Sequence, residues 1–301
     1  MNNKRRLFST LLCVAALTAG LFVSGCGSDK AGGIGSVVSS VVDGGDEKAV
    51  AKLNTLIDAT NRFNSDNVSF AQFQAEGLAK LKGGFAEGAI TNQPHFDRLQ
   101  ADLEKAKKEG STFKEVDAER DNVLNILNEL VPVYKDLTAY DDSKAYMNDG
   151  GAKGKELAAK YVAAVEKFDA AYAKFNETLN KVNAEQSKKQ IEKLKKDGKK
   201  GYAAAMESTL RLTELVDKLE KAPQNADKAA VEKELSEIEA LLKSINNDRG
   251  QVLADRYNSV VGDVRQVLAD PSDNNLNNMI EGFNGYIDTY NSTTPDQFDA
   301  K

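Results

Sequence analysis

The side chains able to carry chemistry are few in kind. One histidine, His95, and two cysteines, Cys13 and Cys26, stand in 301 residues. Zinc, copper and haem sites are built from clusters of His and Cys, and a Ser-His-Asp triad needs an oriented histidine. His95 follows Pro94 at an expected helix start, where an exposed polar residue is ordinary. No G-x-S-x-G elbow, no P-loop and no G-x-G-x-x-G turn after a strand occurs. Asp248, Asp255 and Asp263 lack the spacing of a calcium-binding loop. A pair of carboxylates for cell-wall glycoside hydrolysis stays open as an alternative among 46 acids. Acidic helix surfaces explain those acids more simply, so no enzyme, metal or cofactor is expected.

Two polar patterns stand out instead. Residues 53–61 (LNTLIDATN), 175–183 (FNETLNKVN) and 283–291 (FNGYIDTYN) share apolar-Asn-x-x-apolar-(Asp/Asn)-x-x-Asn. On a helix the three polar positions form one stripe. Asn54, Asp58 and Asn61 then align, as do Asn284, Asp288 and Asn291, and Asn176, Asn180 and Asn183. Asn is a poor helix former, so the stripes need another reason. Register-setting amides beside a helical seam are one. Plain solvent-facing positions are a second, and a binding stripe for a polar solute or glycan is a third. The other pattern is 188–200, KKQIEKLKKDGKK, with seven lysines against Glu192 and Asp197. Lys188, Lys189, Lys193, Lys195, Lys196, Lys199 and Lys200 suit either a solvated hairpin tip or a contact for anionic lipid, lipopolysaccharide phosphate or cell-wall polymer. No aromatics are interleaved with them, which argues against nucleic acid.

Cys26 closes a third pattern. Lys4, Arg5 and Arg6 precede an apolar stretch, Leu7 to Val23, that is too short and too diluted with Ala and Gly for a good membrane span. It ends in Val23-Ser24-Gly25-Cys26, which resembles the lipobox of bacterial lipoproteins. That resemblance implies cleavage before Cys26 and acylation of its thiol. Two or three chains, at about 0.8 kcal/mol per buried methylene, make such an anchor effectively permanent. Cys26 is the only cysteine beyond the leader, so no intramolecular disulfide is expected in the mature chain. Gly27, where sorting signals place Asp, implies the outer membrane if the cell has two.

The elements that must carry these residues are helical. Removing 1–25 takes away three basic residues, and the remaining 37 basic against 46 acidic side chains give −9. So acidic a chain is an unlikely nucleic-acid binder. Residues 27–45 hold six Gly and four Ser, a flexible tether spanning roughly 25 Å on average. From residue 46 the apolar period is helical throughout. Gly83-Gly84, Gly110, Pro223 and Pro271 punctuate it, and Pro132 falls inside one helix. Tyr161, Val165, Phe168, Tyr172, Phe175, Leu179 and Val182 alternate spacings of four and three, a heptad seam. The long stretch 154–221 has its expected break near Asp197, Gly198 and Gly201.

A tethered lipoprotein with a Leu-Asn-x-x-Ile-Asp-x-x-Asn helix at the start and a Phe-Asn helix near the end is similar to the uncharacterised YiiG-like bacterial lipoproteins. Tyr257-Asn258-Ser259-Val260-Val261 adds to that likeness. The resemblance implies a helical periplasmic fold and no activity. The expected organisation is a leader (1–25), a lipidated cysteine with its tether (26–45) and one α-helical domain (46–301). That domain is expected to be an all-α, elongated antiparallel bundle with coiled-coil-like packing. Its expected role is a non-enzymatic interaction or structural module of the cell envelope, held to the membrane by its N-terminal lipid. Its partners would be an envelope protein or an anionic polymer.

Overall fold

A computed structural model describes residues 46–68, 71–91, 93–110 and 113–300. The leader, Cys26 and the tether lie outside the described residues. The described chain is all-α: α1 (Asp46–Val68), α2 (Ala71–Lys82), α3 (Phe96–Lys108), α4 (Lys114–Asp142), α5 (Tyr146–Asp149), α6 (Ala152–Lys196), α7 (Lys200–Lys221), α8 (Lys228–Lys243), α9 (Asp248–Ala269), α10 (Asp273–Asn291) and α11 (Pro295–Phe298). Among the described residues there is no strand, and no helix is long and apolar enough to cross a membrane. The chain gathers into two compact units, Thr55–Asn180 and a second made of 46–54 with 181–300. The division passes through α1 after Asn54 and through α6 after Asn180.

In the first unit the polar pairs give the sense of each helix. Arg62 reaches Asp102 at 3.0 Å and Thr55 reaches Glu109 at 3.3 Å, so α1 and α3 run antiparallel. Gln100 with Asn128 (2.6 Å) and Lys107 with Asp121 (3.2 Å) do the same for α3 and α4. Lys174 with Glu119 (2.6 Å) and Lys167 with Glu129 (3.9 Å) align α4 with α6. The result is an up-down four-helix arrangement. Its core is aromatic. Phe63 packs against Phe96, Phe168 and Tyr172 at centroid distances of 6.1, 5.9 and 5.3 Å. Such ring pairs add about 0.5–1.5 kcal/mol beyond their buried area. The α6 seam is buried along its length, from Tyr161 to Val182. α4 continues as helix through the exposed Pro132.

In the second unit, Lys188 meets Glu214 at 3.1 Å and Lys195 meets Glu207 at 2.8 Å. The stretch 154–221 is therefore two helices folded into a hairpin. Gly198 makes the turn at φ +77°, a left-handed conformation that suits glycine. Short turns return α8 and α9. Arg211 bridges α7 to Glu234 at 2.7 Å, and Arg265 bridges α9 to Glu232 at 2.8 Å. Asp227 caps α8, accepting from the amides of Ala229 and Ala230. Asn247 likewise caps α9, accepting from Arg249 and Gly250. Each cap is worth about 1 kcal/mol. Pro271 lies in the α9–α10 connection. α10 follows the same seam with one adjustment, Met279 being fully buried where Ile280 is half-buried.

α11 ends the described chain. Phe298 stacks against Tyr202 (6.1 Å) and Tyr290 (6.0 Å), and Asp299 Oδ1 accepts from the Gly201 amide at 2.7 Å. Asn247 Nδ2 donates to the carbonyls of Gln297, Phe298 and Ala300. A Cβ on residue 201 would stand 2.0 Å from the Phe298 carbonyl oxygen, so a glycine is required there. The last residues thus lie across the α6–α7 and α8–α9 turns.

Candidate functional site

The polar stripes come first. The two triads that hold an aspartate present their Asn and their Asp to different surroundings. Asn54 is 5 % exposed, and neither its Oδ1 nor its Nδ2 has a hydrogen-bond partner among the described residues. Asn61 is half-buried, while Asp58 is exposed. On α10, Asn284 and Asn291 are half-buried, each with a buried and unpartnered Oδ1, and Asp288 is exposed. The reason is helical geometry. Residue i+4 lies about 40° round the helix from residue i, and i+7 lies about 20° to the other side. The Asn positions therefore edge onto the seam and the Asp rotates off it. Local desolvation raises the Asp58 pKa, and Arg62 one turn on lowers it.

The third copy, on α6, goes deepest. Asn176 is 4 % exposed with both amide atoms unpartnered, Asn183 is buried and Asn180 is half-buried. Ser187, buried with a free Oγ, continues the same line. A buried amide without a partner costs about 1–3 kcal/mol. These amides lie in the packed interior, and a groove on the second unit lies elsewhere. It is a shallow hollow of about 470 Å³ at the α8–α9 turn, lined by Lys243, Asn247, Asp248 and Gln251 among others.

The lysine run separates into two sets. Three lysines are paired within the second unit: Lys188 with Glu214, Lys195 with Glu207 and Lys199 with Asp296, at 3.1, 2.8 and 2.9 Å. Those carboxylates raise the pKa of Lys195 and of Lys199. Lys189, Lys193, Lys196 and Lys200 have no ion pair among the described residues. Three of these four are exposed and Lys193 is half-buried. Spacings of four and three put Lys189, Lys193 and Lys196 on one line of α6, opposite the buried Ile191 and Leu194, and Lys200 opens α7 beyond the turn.

Several polar side chains that matter inside the molecule carry no sequence signature. Gln93 is buried, accepts from the Tyr161 hydroxyl at 2.9 Å and donates to the carbonyls of Gln74 and Ala89. Asn64 Oδ1 accepts from Tyr172 at 2.9 Å. The Tyr286 hydroxyl sits 3.1 Å from both Ser208 Oγ and Thr209 Oγ1. These pairs join residues 68, 108, 78 and 77 positions apart, a separation that no local motif reports. His95 is exposed, ahead of α3. Among the described residues no three His, Cys, Asp or Glu side chains gather in a way that would hold a metal ion.

No curated protein and no solved structure matches the chain. The family described as "Protein of unknown function (DUF3829)" matches residues 47–252, which cover α1 through the start of α9, that is, the first unit and part of the second. With more than half of its length matched, the chain belongs to that family.

Proposed function

We propose that this chain is a lipid-anchored protein of the cell envelope whose helical domain is a non-enzymatic interaction module. The observation that carries the reading is Val23-Ser24-Gly25-Cys26, a small-residue approach to the only cysteine beyond an apolar leader. The finer kinship with YiiG-like lipoproteins, and outer-membrane placement through Gly27 in a two-membrane cell, belong to the same proposal. Support for a module, as opposed to a solute-binding protein, comes from the polar stripes. Their amides are buried or half-buried beside the seams and their two aspartates point outward. That is the disposition of residues that specify packing, more than of residues that converge on a ligand.

The test is metabolic labelling of the full chain in a bacterial host with a clickable palmitate analogue, followed by detergent phase partition. The unvaried chain is expected to take label and enter the detergent phase. Cys26→Ser is expected to take none and to remain aqueous. Label on Cys26→Ser, or none on the unvaried chain, would overturn the anchor.

A further inference from the structure

We infer that Lys189, Lys193, Lys196 and Lys200 form a contact surface for the anionic phospholipid head groups of the membrane that holds the chain. The inference rests on the lipid anchor proposed above. It starts from the division among the lysines. Lys188, Lys195 and Lys199 are spent on carboxylates of the second unit, and Glu192 lies 3.7 Å from Lys195. The other four keep their charge for solvent. Lys189, Lys193 and Lys196 share one line of α6 and Lys200 follows the turn as the first residue of α7, within a mature chain of net charge −9. Elsewhere an approach to an anionic bilayer is opposed by that excess of carboxylates, whereas this line attracts it.

Placement supplies the second argument. α1 and α6 are antiparallel, because α1, α3, α4 and α6 alternate in sense. Phe63 lies against Phe168 and Tyr172, and Asn64 accepts from Tyr172. Beyond that contact, the first residues of α1, 46–54, are gathered with 181–300, and so with the lysine-bearing half of α6, into the second unit. Cys26 therefore precedes, in the chain, the unit that carries the four lysines. With only about twenty residues between Cys26 and α1, the proposed anchor would hold this unit near the bilayer. The proposed attachment and the unpaired cations then belong to one unit. With no aromatic among the four, the contact is electrostatic, does not insert, and weakens with salt.

Each lysine near an anionic leaflet strengthens partition by about fivefold. The test uses the chain from residue 26 onward carrying Cys26→Ser, which has no lipid. It is sedimented with vesicles of phosphatidylcholine alone or of phosphatidylcholine with phosphatidylglycerol, at low and at physiological salt. Retention is expected only on the phosphatidylglycerol vesicles, and it should fall as salt rises. Lys189→Gln/Lys193→Gln/Lys196→Gln/Lys200→Gln is expected to lose about tenfold or more. Lys188→Gln/Lys195→Gln/Lys199→Gln, which neutralises the paired set, is expected to lose less. Equal retention on both vesicle types, no retention on either, or unchanged binding by the four-lysine variant would overturn the proposal, as would binding only when lipopolysaccharide replaces phosphatidylglycerol. Should the four-lysine variant unfold, as read by its melting curve, salt dependence of the unvaried chain decides alone. Because the tested chain carries no lipid, failed palmitate labelling would sink the anchor without altering this result.

Discussion

The two units differ in how they bury their tyrosines. In the first, each deep tyrosine hydroxyl has a side-chain acceptor: Tyr161 donates to Gln93 and Tyr172 to Asn64, both at 2.9 Å. The rings then pack in a continuous set through Phe63, Phe96 and Phe168. In the second, Tyr286 meets Ser208 and Thr209 and Tyr257 donates to the Leu235 carbonyl, but the buried Tyr202 and Tyr290 hydroxyls have only each other among the described residues. Burial pushes Tyr202 up to about 12, and Tyr290 also stands well above the usual phenol range. Those rings are covered by Phe298 from the end of the chain. Helices with the same apolar period can thus be completed from within, by paired polar groups, or from outside, by a terminal segment that excludes water. The first way makes the core sensitive to its rings, and the second makes it sensitive to the cover.

The largest effect separating the two is expected from Phe168→Ala. That ring touches Phe63, Phe96 and Tyr172, so its removal should cost about 3–5 kcal/mol in denaturant unfolding. A loss below about 1 kcal/mol would mean that the ring set does not hold the first unit together. Gly201→Ala is the matching change in the second unit. It drives a methyl group against the Phe298 carbonyl and should cost about 1–3 kcal/mol. Amides of 295–300 should then exchange faster while those of α3 and α4 do not. Uniform acceleration would show that the tail is not a local cover.

A third variant runs the other way. Asn176→Leu replaces an unpartnered, buried amide by a side chain of similar size and should stabilise by about 1–2 kcal/mol. A loss of stability, or a change of oligomeric state in sedimentation, would mean that the amide has an essential register role.

The smallest expected effect is a pH dependence. Burial and nearby Asp217 raise the Glu220 carboxyl in the second unit to about 8, and burial with Glu166 raises Asp169 in the first to about 7. Both values lie above those of an unfolded chain. Each group is therefore neutral in both states at low pH. Each begins to destabilise the fold as pH rises past its unfolded pKa near 4, and the penalty levels off above its folded value. Glu220→Gln should show a relative gain on the order of 1 kcal/mol that grows from about pH 4 to pH 8 and is flat beyond. Asp169→Asn should level off about one pH unit earlier. A gain independent of pH would assign the effect to packing.

Much of the architecture was legible in advance. The seam from Tyr161 to Val182 is buried as its spacing predicts, and the helices stop at Gly110, Gly198, Pro223 and Pro271 or within a few residues of them. The candidate sites were legible only in part. The Asn-Asp-Asn spacing pointed to a stripe, yet the sequence alone did not show that Asp58 and Asp288 would turn outward while Asn54 and Asn176 went in. Seven lysines were visible as a run, but which were neutralised depended on where Glu207, Glu214 and Asp296 arrived. Phe298 and Asn247 had no pattern to mark them, since a lone aromatic and a lone amide are ordinary in any loop.

By itself the sequence determined what a single helix can express: its period, its ends and the stripe on which a polar residue falls. These follow from 3.6 residues per turn and from the backbone limits of Gly and Pro, which act over a few residues at a time. Tertiary structure alone decided that 154–221 is a hairpin, that Gln93 and Asn64 receive distant tyrosine hydroxyls, that the chain end covers Tyr202 and Tyr290, and which lysines remain unpaired. Those outcomes depend on which helix faces meet, and at what level, so they belong to pairs of residues up to 108 apart.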